Sequence, residues 1–186
     1  MRNLHTRAQM SGSDSPVVMV SGQQWVSRRF FEQHYTHKLL AHAAQNARFV
    51  LGAADGVDTY AQQTLAELCD AGLLDPERVT IFNKGAKDGR ALSTFRLRNG
   101  FASYPERDRA MCAESSVLVC TLAQYGCGTS GAALNVLRAA FGNDEAQAQI
   151  AFKALRAATE RKSSDDAELI AMLEARAAAA VVAQKQ

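Results

Sequence analysis

The sequence lacks the features that would place a chain in a membrane or build a metal centre. No apolar run reaches the roughly 18 residues that span a bilayer, and residues 1–14 have no apolar core of the kind that signal peptides carry. The four cysteines form no CxxC pair, which is typical of reduced thiols and argues against a zinc site. We therefore expect a cytoplasmic protein with no membrane partner, no metal and no other cofactor.

The chain also has little net charge. Its formal charge is +2, with 22% charged residues, so it is not the overall polycation that binds nucleic acid or an anionic membrane. Between Arg78 and Arg109, however, eight Lys and Arg residues stand against three Asp and Glu residues, an excess of +5. Because one arginine side chain can donate two hydrogen bonds to a phosphate group, this stretch favours a polyanionic ligand such as a nucleotide.

What the sequence does contain is a regular alternation of strand and helix patterns. Short apolar runs rich in β-branched residues predict strands, and apolar residues at helical spacing predict helices. The strands fall at 16–22, 48–53, 78–83 and 116–122, and the helices at 30–46, 58–71, 103–114 and 131–140. The basic stretch 84–100 is punctuated by glycine and is too irregular to assign. The alternation predicts an α/β fold, a Rossmann-like three-layer sandwich with a mainly parallel sheet.

The pattern changes after Phe141. Residues 144–162 and 166–185 are alanine-rich and predict two further helices, and no fifth strand follows the helix at 131–140. We expect a flexible segment at 1–15, a Rossmann-like domain at 16–141 and an alanine-rich C-terminal helical extension at 142–186. Such an extension packs on its own domain or on a second subunit.

The candidate ligand-binding residues follow the predicted strands. In an open parallel sheet the ligand lies outside the carboxyl ends of the strands. The residues at these positions are Ser21, Gly22, Gly52, Gly56, Gly126, Gly128, Thr129 and Ser130. Glycine lets the backbone approach a ligand, and the N–H groups of a helix start suit a phosphate or a ribose diol. A tight strand-to-helix connection needs the same glycines for its geometry alone, and this alternative stays open.

Charged residues complete the candidate site. Arg107 lies four residues before Met111 and shares its helix face, so it points toward the ligand edge if Met111 packs on the sheet. Arg109 lies elsewhere on the turn, and we expect it to contact the ligand too. Two alternatives remain: Arg107 pairs with a neighbouring acid at the surface, and Asp58 only caps the helix that it begins.

These motifs, in this order, resemble the SLOG superfamily of Rossmann-like proteins, related to the lonely-guy phosphoribohydrolases and to DNA-processing protein A. The similarity covers about residues 16–140 and is greatest to small members without an assigned function. It rests on Val18-Met-Val-Ser-Gly22, Gly52 to Asp58, Arg107-Asp-Arg-Ala-Met111 and Gly128-Thr129. The resemblance implies a nucleotide or NAD-derived small molecule as ligand, no metal, and association into a homo-oligomer.

The resemblance also bears on catalysis. In the hydrolase branch an arginine four residues before a methionine helps to position or protonate the leaving base, and Arg107 stands in that place. The catalytic glutamate of that branch follows Gly-Thr, where residues 130–132 of this chain cannot ionise. Cleavage of an N-glycosidic bond needs carboxyl groups, so Asp58 and then Asp108 are the candidates beside Arg107.

Three functional hypotheses follow. The first is a protein that binds a nucleotide or NAD-derived metabolite, either as a sensor or as a weak N-glycosidase. The second is an active nucleotide N-glycosidase or ribosyl-transferring enzyme that uses Asp58 or Asp108 with Arg107. The third is a DNA-associated accessory protein, which the basic stretch at 84–100 supports only weakly because Phe95 is its single aromatic residue.

Overall fold

The computed structural model describes residues 15–85, 91–92, 94–121, 130–160 and 172. Several sequence-based predictions lie outside these residues. They are the flexible segment up to residue 14, the turn that contains Gly126, Gly128 and Thr129, and the second alanine-rich helix apart from Met172.

The described chain forms one five-stranded, all-parallel sheet, which confirms the predicted α/β class. The strands are β1 (Val17–Val20), β2 (Arg48–Leu51), β3 (Val79–Phe82), β4 (Arg96–Arg98) and β5 (Val117–Val119), in the order β4-β3-β2-β1-β5. Strand β1 lies inside the sheet and pairs Val18 with Phe49 of β2 on one side and with Val117 of β5 on the other. Its run of apolar residues suits this position, because a parallel strand is covered on both faces.

Strand β4 corrects the prediction of four strands. The irregular stretch 84–100 contains a strand, since Arg96–Arg98 pairs with β3 and Thr80 lies opposite Arg96. All three residues of β4 are exposed at the edge of the sheet. A short, charged edge strand buries no apolar side chain, so the hydrophobic pattern carries no signal for it.

The helices lie close to their predicted positions. They are α1 (Arg28–Phe31), a π-helical turn (Glu32–Thr36), α2 (His37–Ala44), α3 (Val57–Asp70), a 3₁₀ turn (Pro76–Arg78), α4 (Tyr104–Glu114), α5 (Gly131–Ala140) and α6 (Glu145–Glu160). Helix α4 begins at a capping box, with Ser103 Oγ accepting a hydrogen bond from the N–H of Glu106. The Glu106 carboxylate accepts from the N–H of Ala102, one residue earlier than in the ideal motif.

Helices cover both faces of the sheet, so the three-layer arrangement is also confirmed. Alternate residues of β1 point to opposite sides: Val18 and Val20 enter the core formed with α1, α2 and α3, whereas Met19 meets Met111 of α4. A third apolar cluster joins α5 to α6, the first helix of the predicted extension. In the described part of the chain, no helix is both long and apolar enough to cross a membrane.

Candidate functional site

A cavity of about 550 Å³ opens at the carboxyl ends of the central strands. Four segments form its walls: the end of β1 with the residues that follow it, the β2–α3 connection, the inner face of α4 and the start of α5. The lining residues are Val20, Ser21, Gly22, Gln23, Gln24, Trp25, Ala54, Asp58, Tyr104, Arg107, Asp108, Met111, Ser130, Gly131, Ala132 and Asn135. The structure thus brings Arg107, Asp58 and Asp108 together with Ser21, Gly22 and Ser130, as the order of the strands predicts.

Arg107 lies at the floor of this cavity and pairs with its neighbour in the chain. Its Nη2 and Nε donate to Asp108 Oδ1 over 2.7 Å and 2.9 Å, and both side chains are about nine-tenths buried. The Arg107 guanidinium also lies 5.0 Å from the centre of the Tyr104 ring. The alternative of an ion pair with a neighbouring acid is therefore partly right, but the pair lies in the cavity and not at the surface.

Asp58 lies near the same guanidinium, on the other side of Gly52. A methyl group at Gly52 would lie 2.9 Å from Arg107 Nη1 and would collide with Asp58 Oδ2, so both charged groups pack against this glycine. Gly52 itself does not line the cavity. Its absent side chain leaves room for both side chains, which is a role that the sequence-based prediction of ligand binding did not include.

Asp58 does not cap its helix. The N-cap of α3 is Gly56, and Asp58 Oδ2 instead accepts a hydrogen bond of 3.1 Å from the N–H of Ala54. Burial raises the pKa of Asp58 to about 6, and the Asp108 charge adds to the rise, while Arg107 and the Ala54 N–H oppose it. The Asp58 carboxyl group is therefore able to give or take a proton near neutral pH.

The glycines after β1 and β2 serve close packing. A methyl at Gly22 would lie 2.6 Å from the Tyr35 hydroxyl and would collide with Val57. Gly56 has a φ of +76°, and a side chain there would meet the carbonyl groups of Gln23 and Gln24. Gly22 lines the cavity but Gly56 does not, so Gly56 positions the chain behind the site.

Tyr35 joins the two strands beside the cavity. Its hydroxyl lies 3.1 Å from the carbonyl of Ser21 and 3.0 Å from that of Thr121, and it accepts a hydrogen bond from the N–H of Thr121. Burial is the main cause that raises the pKa of Tyr35 far above its usual range, so this phenol stays neutral. The ends of β1 and β5 are therefore held in register where the ligand edge begins.

The basic residues of 78–109 are mostly directed away from the cavity. Arg109 forms an ion pair of 3.7 Å with Glu145, is half-exposed and is not among the lining residues. Arg96 and Arg98 pair with glutamates of the surface, and Arg78 donates to the carbonyl of Asn46. Within the described part of that stretch, Arg107 is the only Lys or Arg that lines the cavity; Lys87 and Arg90 fall in the gap at 86–90. The predicted local excess of +5 does not describe the site.

Sequence reasoning missed five polar or aromatic lining residues: Gln23, Gln24, Trp25, Tyr104 and Asn135. A signal existed for Tyr104, which stands three residues before Arg107 on the same helix face. Trp25 is the single tryptophan of the chain and is 91% exposed, which is unusual for this residue and marks it as a rim position. Gln23, Gln24 and Asn135 have no local pattern that would have identified them.

The site offers hydrogen-bond acceptors more than positive charge. The charged groups that the described residues contribute to its lining are one guanidinium and two carboxyl groups, and carboxylates favour ligand groups that donate, such as sugar hydroxyls. Among the described residues, no group of three or more His, Cys, Asp or Glu side chains is placed to hold a metal ion.

Comparisons with protein-family models, with curated proteins and with solved structures gave no match to this chain. The SLOG resemblance therefore stays a prediction from the motifs, and the function has to be argued from the geometry of the cavity.

Proposed function

We propose that this protein binds a nucleotide or a nucleotide-derived metabolite in the cavity at the carboxyl edge of its sheet. One observation carries the proposal: Arg107 is buried between Asp58 and Asp108 at the floor of an open cavity of about 550 Å³. A buried group of three charges is costly to maintain in a fold and is concentrated at functional sites. The volume lies in the range of sites for small molecules and cofactors.

The parts of the cavity suit the parts of such a ligand. Trp25 and Tyr104 provide aromatic surface for a planar base at the rim. The carboxylates of Asp58 and Asp108 accept hydrogen bonds from ribose hydroxyls. The first turn of α5, at Gly131 and Ala132, presents backbone N–H groups to the same space, which favours an oxygen acceptor of the ligand.

A specific observation favours a second candidate function, cleavage of the N-glycosidic bond. The pKa of Asp58 is about 6, and Asp108 accepts two hydrogen bonds from Arg107 beside it. In this reaction the bond from C1′ to the base nitrogen breaks and its electron pair leaves with the base, which takes the proton of Asp58. Asp108 stabilises the positive charge on the ribose, and water adds to C1′ as its proton returns to Asp58.

The DNA-associated alternative has less support. DNA binding requires basic side chains that are available to phosphates, and in this structure Arg96, Arg98 and Arg109 are paired with glutamates. A gel-shift titration would support this alternative only if it showed DNA binding that depends steeply on the salt concentration.

The test of binding is a thermal-shift screen with nucleoside monophosphates, NAD and ADP-ribose. A ligand at 100 times its dissociation constant stabilises the folded state by about 2.7 kcal/mol, which raises the midpoint of unfolding by several degrees. The proposal expects at least one such shift, and it expects the shift to disappear in Trp25→Ala. The absence of a shift with every compound would contradict it.

The test of catalysis is chromatographic detection of free base after incubation with the same compounds. If the protein is an N-glycosidase, Asp58→Asn and Asp108→Asn each abolish release of base while the ligand still shifts the unfolding midpoint. If no base appears at high protein concentration although a ligand binds, the protein is a sensor in the sense of the leading hypothesis.

We also infer a homo-oligomer. Helix α6 packs Ala148 and Leu155 on α5, but its Ile150 is 63% exposed and offers apolar surface to a second copy. Sedimentation equilibrium of the wild-type protein and of Ile150→Glu tests this. The inference requires a dimer or larger species that dissociates in the variant, and a monomeric wild type would contradict it.

A further inference from the structure

A buried series of hydrogen bonds connects the start of α6 with the cavity. Glu145 accepts from Arg138, with 2.7 Å from Nε to Oε2 and 3.0 Å from Nη2 to Oε1. Arg138 Nη1 donates over 2.8 Å to Asn135 Oδ1, and Asn135 Nδ2 donates over 3.1 Å to Ser21 Oγ. Ser21, Asn135 and Arg138 are 6%, 3% and 1% exposed, and the first two line the cavity.

The chemistry of Arg138 determines the direction of this series. A guanidinium has donors and no acceptor, so the Asn135 atom that faces it must be the amide oxygen. The Cys112 thiol, 3.9 Å from the same oxygen, is also a donor. The NH₂ group of Asn135 is thereby directed at Ser21, and since an NH₂ group cannot accept, the Ser21 oxygen must.

The Ser21 hydroxyl proton is left for another partner. Its oxygen accepts from Asn135, and the described part of the chain contains no acceptor for a hydrogen bond from Ser21 Oγ. Ser21 is 6% exposed and lines the cavity, so its unused donor is available to a ligand there.

We propose that Ser21 donates a hydrogen bond to an acceptor oxygen of the ligand, and that Arg138 is the positioning residue that enforces this direction through Asn135. The inference rests on the proposed function, because it assigns the polarity of the same site. The wall that contains Asp58 and Asp108 then accepts hydrogen bonds from the ligand, and the wall at the end of β1 donates a hydrogen bond to it. A nucleotide presents both kinds of group, sugar hydroxyls and phosphoryl oxygens.

This polarity gives selectivity. A ligand that presents an N–H group or a hydroxyl proton to Ser21 would place two hydrogen-bond donors opposite each other and leave a buried group without a partner. Sites of this kind reject such ligands. The ion pair with Glu145 keeps the Arg138 side chain in place, although Glu145 lies on a different helix. Arg138 therefore acts on the ligand without touching it.

The first arm of the test needs no ligand. In protein labelled with ¹⁵N at asparagine, the side-chain amide signals of Asn135 are assigned with Asn135→Asp, and their solvent exchange is measured in Ser21→Ala. We expect exchange to speed up about tenfold, as for loss of one hydrogen bond. Ser116→Ala is the matched control, since Ser116 bonds Val17 at the opposite end of β1 and should leave these signals unchanged. Unchanged exchange in Ser21→Ala would overturn the proposed direction whatever the protein binds.

The second arm measures the affinities of adenosine monophosphate and adenosine. Ser21→Ala should weaken binding about tenfold. Asn135→Asp keeps the shape but accepts from both Arg138 and Ser21, so the Ser21 proton turns away from the ligand and the loss should be at least as large. A loss for the monophosphate alone assigns the phosphate as acceptor, and a loss for both probes assigns a ribose or base oxygen.

The outcomes of the two arms are distinguishable. If wild-type protein binds either probe and both variants bind it equally well, Ser21 is not a donor to the ligand and the inference is wrong. If wild-type protein binds neither probe, the proposal that the cavity binds these compounds is wrong, and so is the proposed hydrogen bond from Ser21 to the ligand. The exchange measurement still decides in that case whether the NH₂ group of Asn135 donates to Ser21.

Discussion

Arg107 and Asp108 are consecutive residues of one helix and nevertheless form a buried ion pair, with 2.7 Å from Nη2 to Oδ1. Neighbours in a helix do not ordinarily face each other, so this pairing requires the Arg107 side chain to turn along the helix surface. The Tyr104 ring, 5.0 Å from the guanidinium, lies on that path. The ion pair therefore places one positive and one negative charge in the cavity, beside Asp58.

The first prediction concerns the charge of Arg107. In Arg107→Gln the carboxyl groups of Asp58 and Asp108 lose their cation, so the free energy of unfolding should fall by about 3 kcal/mol. Because Arg107 lowers the pKa of Asp58, that pKa should rise further above about 6 in the variant. Denaturant unfolding and titration of ¹³C-labelled carboxyl groups measure the two effects.

Arg96→Gln is the control for this change. Arg96 lies 4.0 Å from Glu77 with both side chains largely exposed, and its loss should cost no more than about 0.5 kcal/mol. Equal costs for the two variants would show that the buried group of charges has no special role in the fold.

The second prediction is a dependence of stability on pH that Asp58 causes. Its pKa is about 3.9 in an unfolded chain and about 6 in the folded protein, so the folded state binds the proton more tightly. Between these two values the folded state therefore loses stability as pH rises, by about 3 kcal/mol in total. Asp58→Asn should lack this loss and gain stability relative to wild type between pH 4 and pH 7.5. Parallel stability profiles of the two proteins would contradict the raised pKa.

The third prediction tests the empty space at Gly52. Gly52→Ala places a methyl group against Asp58 Oδ2 and Arg107 Nη1, and overpacking of this kind costs about 1–3 kcal/mol. Gly85→Ala is the matched control, because a side chain at Gly85 meets nothing within 4 Å. Chemical denaturation of both variants gives the comparison. A cost for Gly52→Ala no larger than that for Gly85→Ala would show that Asp58 and Arg107 do not pack against this glycine.

The fourth prediction concerns the joint between α5 and α6. Hydrogen bonds from Arg138 lower the pKa of Glu145 to about 2. Because its pKa is near 4.3 in an unfolded chain, Glu145 stabilises the fold above that pH, and the contribution is lost as pH falls toward 2. Glu145→Gln should cost about 2 kcal/mol at pH 7 and little at pH 2.5.

Glu32→Gln serves as the comparison for this variant. Glu32 pairs with Arg28 at 3.0 Å on an exposed helix surface, so its loss should cost less than about 0.5 kcal/mol. If Glu145→Gln costs as much at pH 2.5 as at pH 7, the ion pair with Arg138 is not the source of the stability.

The sequence allowed much of the fold and part of the site to be predicted, for physical reasons that differ between elements. Strand β1 could be predicted from its apolar run because both of its faces are buried. The exposed edge strand β4 has no such hydrophobic pattern. Arg107 was placed correctly because residues four apart share a helix face. Asn135 was missed because its bond to Ser21 joins residues 114 positions apart, and no local pattern encodes such a contact.

The excess of basic residues between Arg78 and Arg109 does not carry over to the cavity, for a related reason. Counting these residues could not show which of them find acidic partners in the fold. Arg109, for example, pairs with Glu145, which lies 36 positions away. The net charge of the segment therefore did not predict the charged lining of the cavity, to which the described residues contribute one guanidinium and two carboxyl groups.

The most direct test of nucleotide binding uses Trp25, because this single tryptophan lines the cavity and its emission reports on no other place in the chain. Adenosine monophosphate, NAD and ADP-ribose are titrated into the wild-type protein and into Arg107→Gln, and the fluorescence is followed to saturation. The proposed function predicts saturable quenching by at least one of them, and weaker binding of that compound to the variant. Emission that stays unchanged with all three at millimolar concentration would contradict a nucleotide site in this cavity.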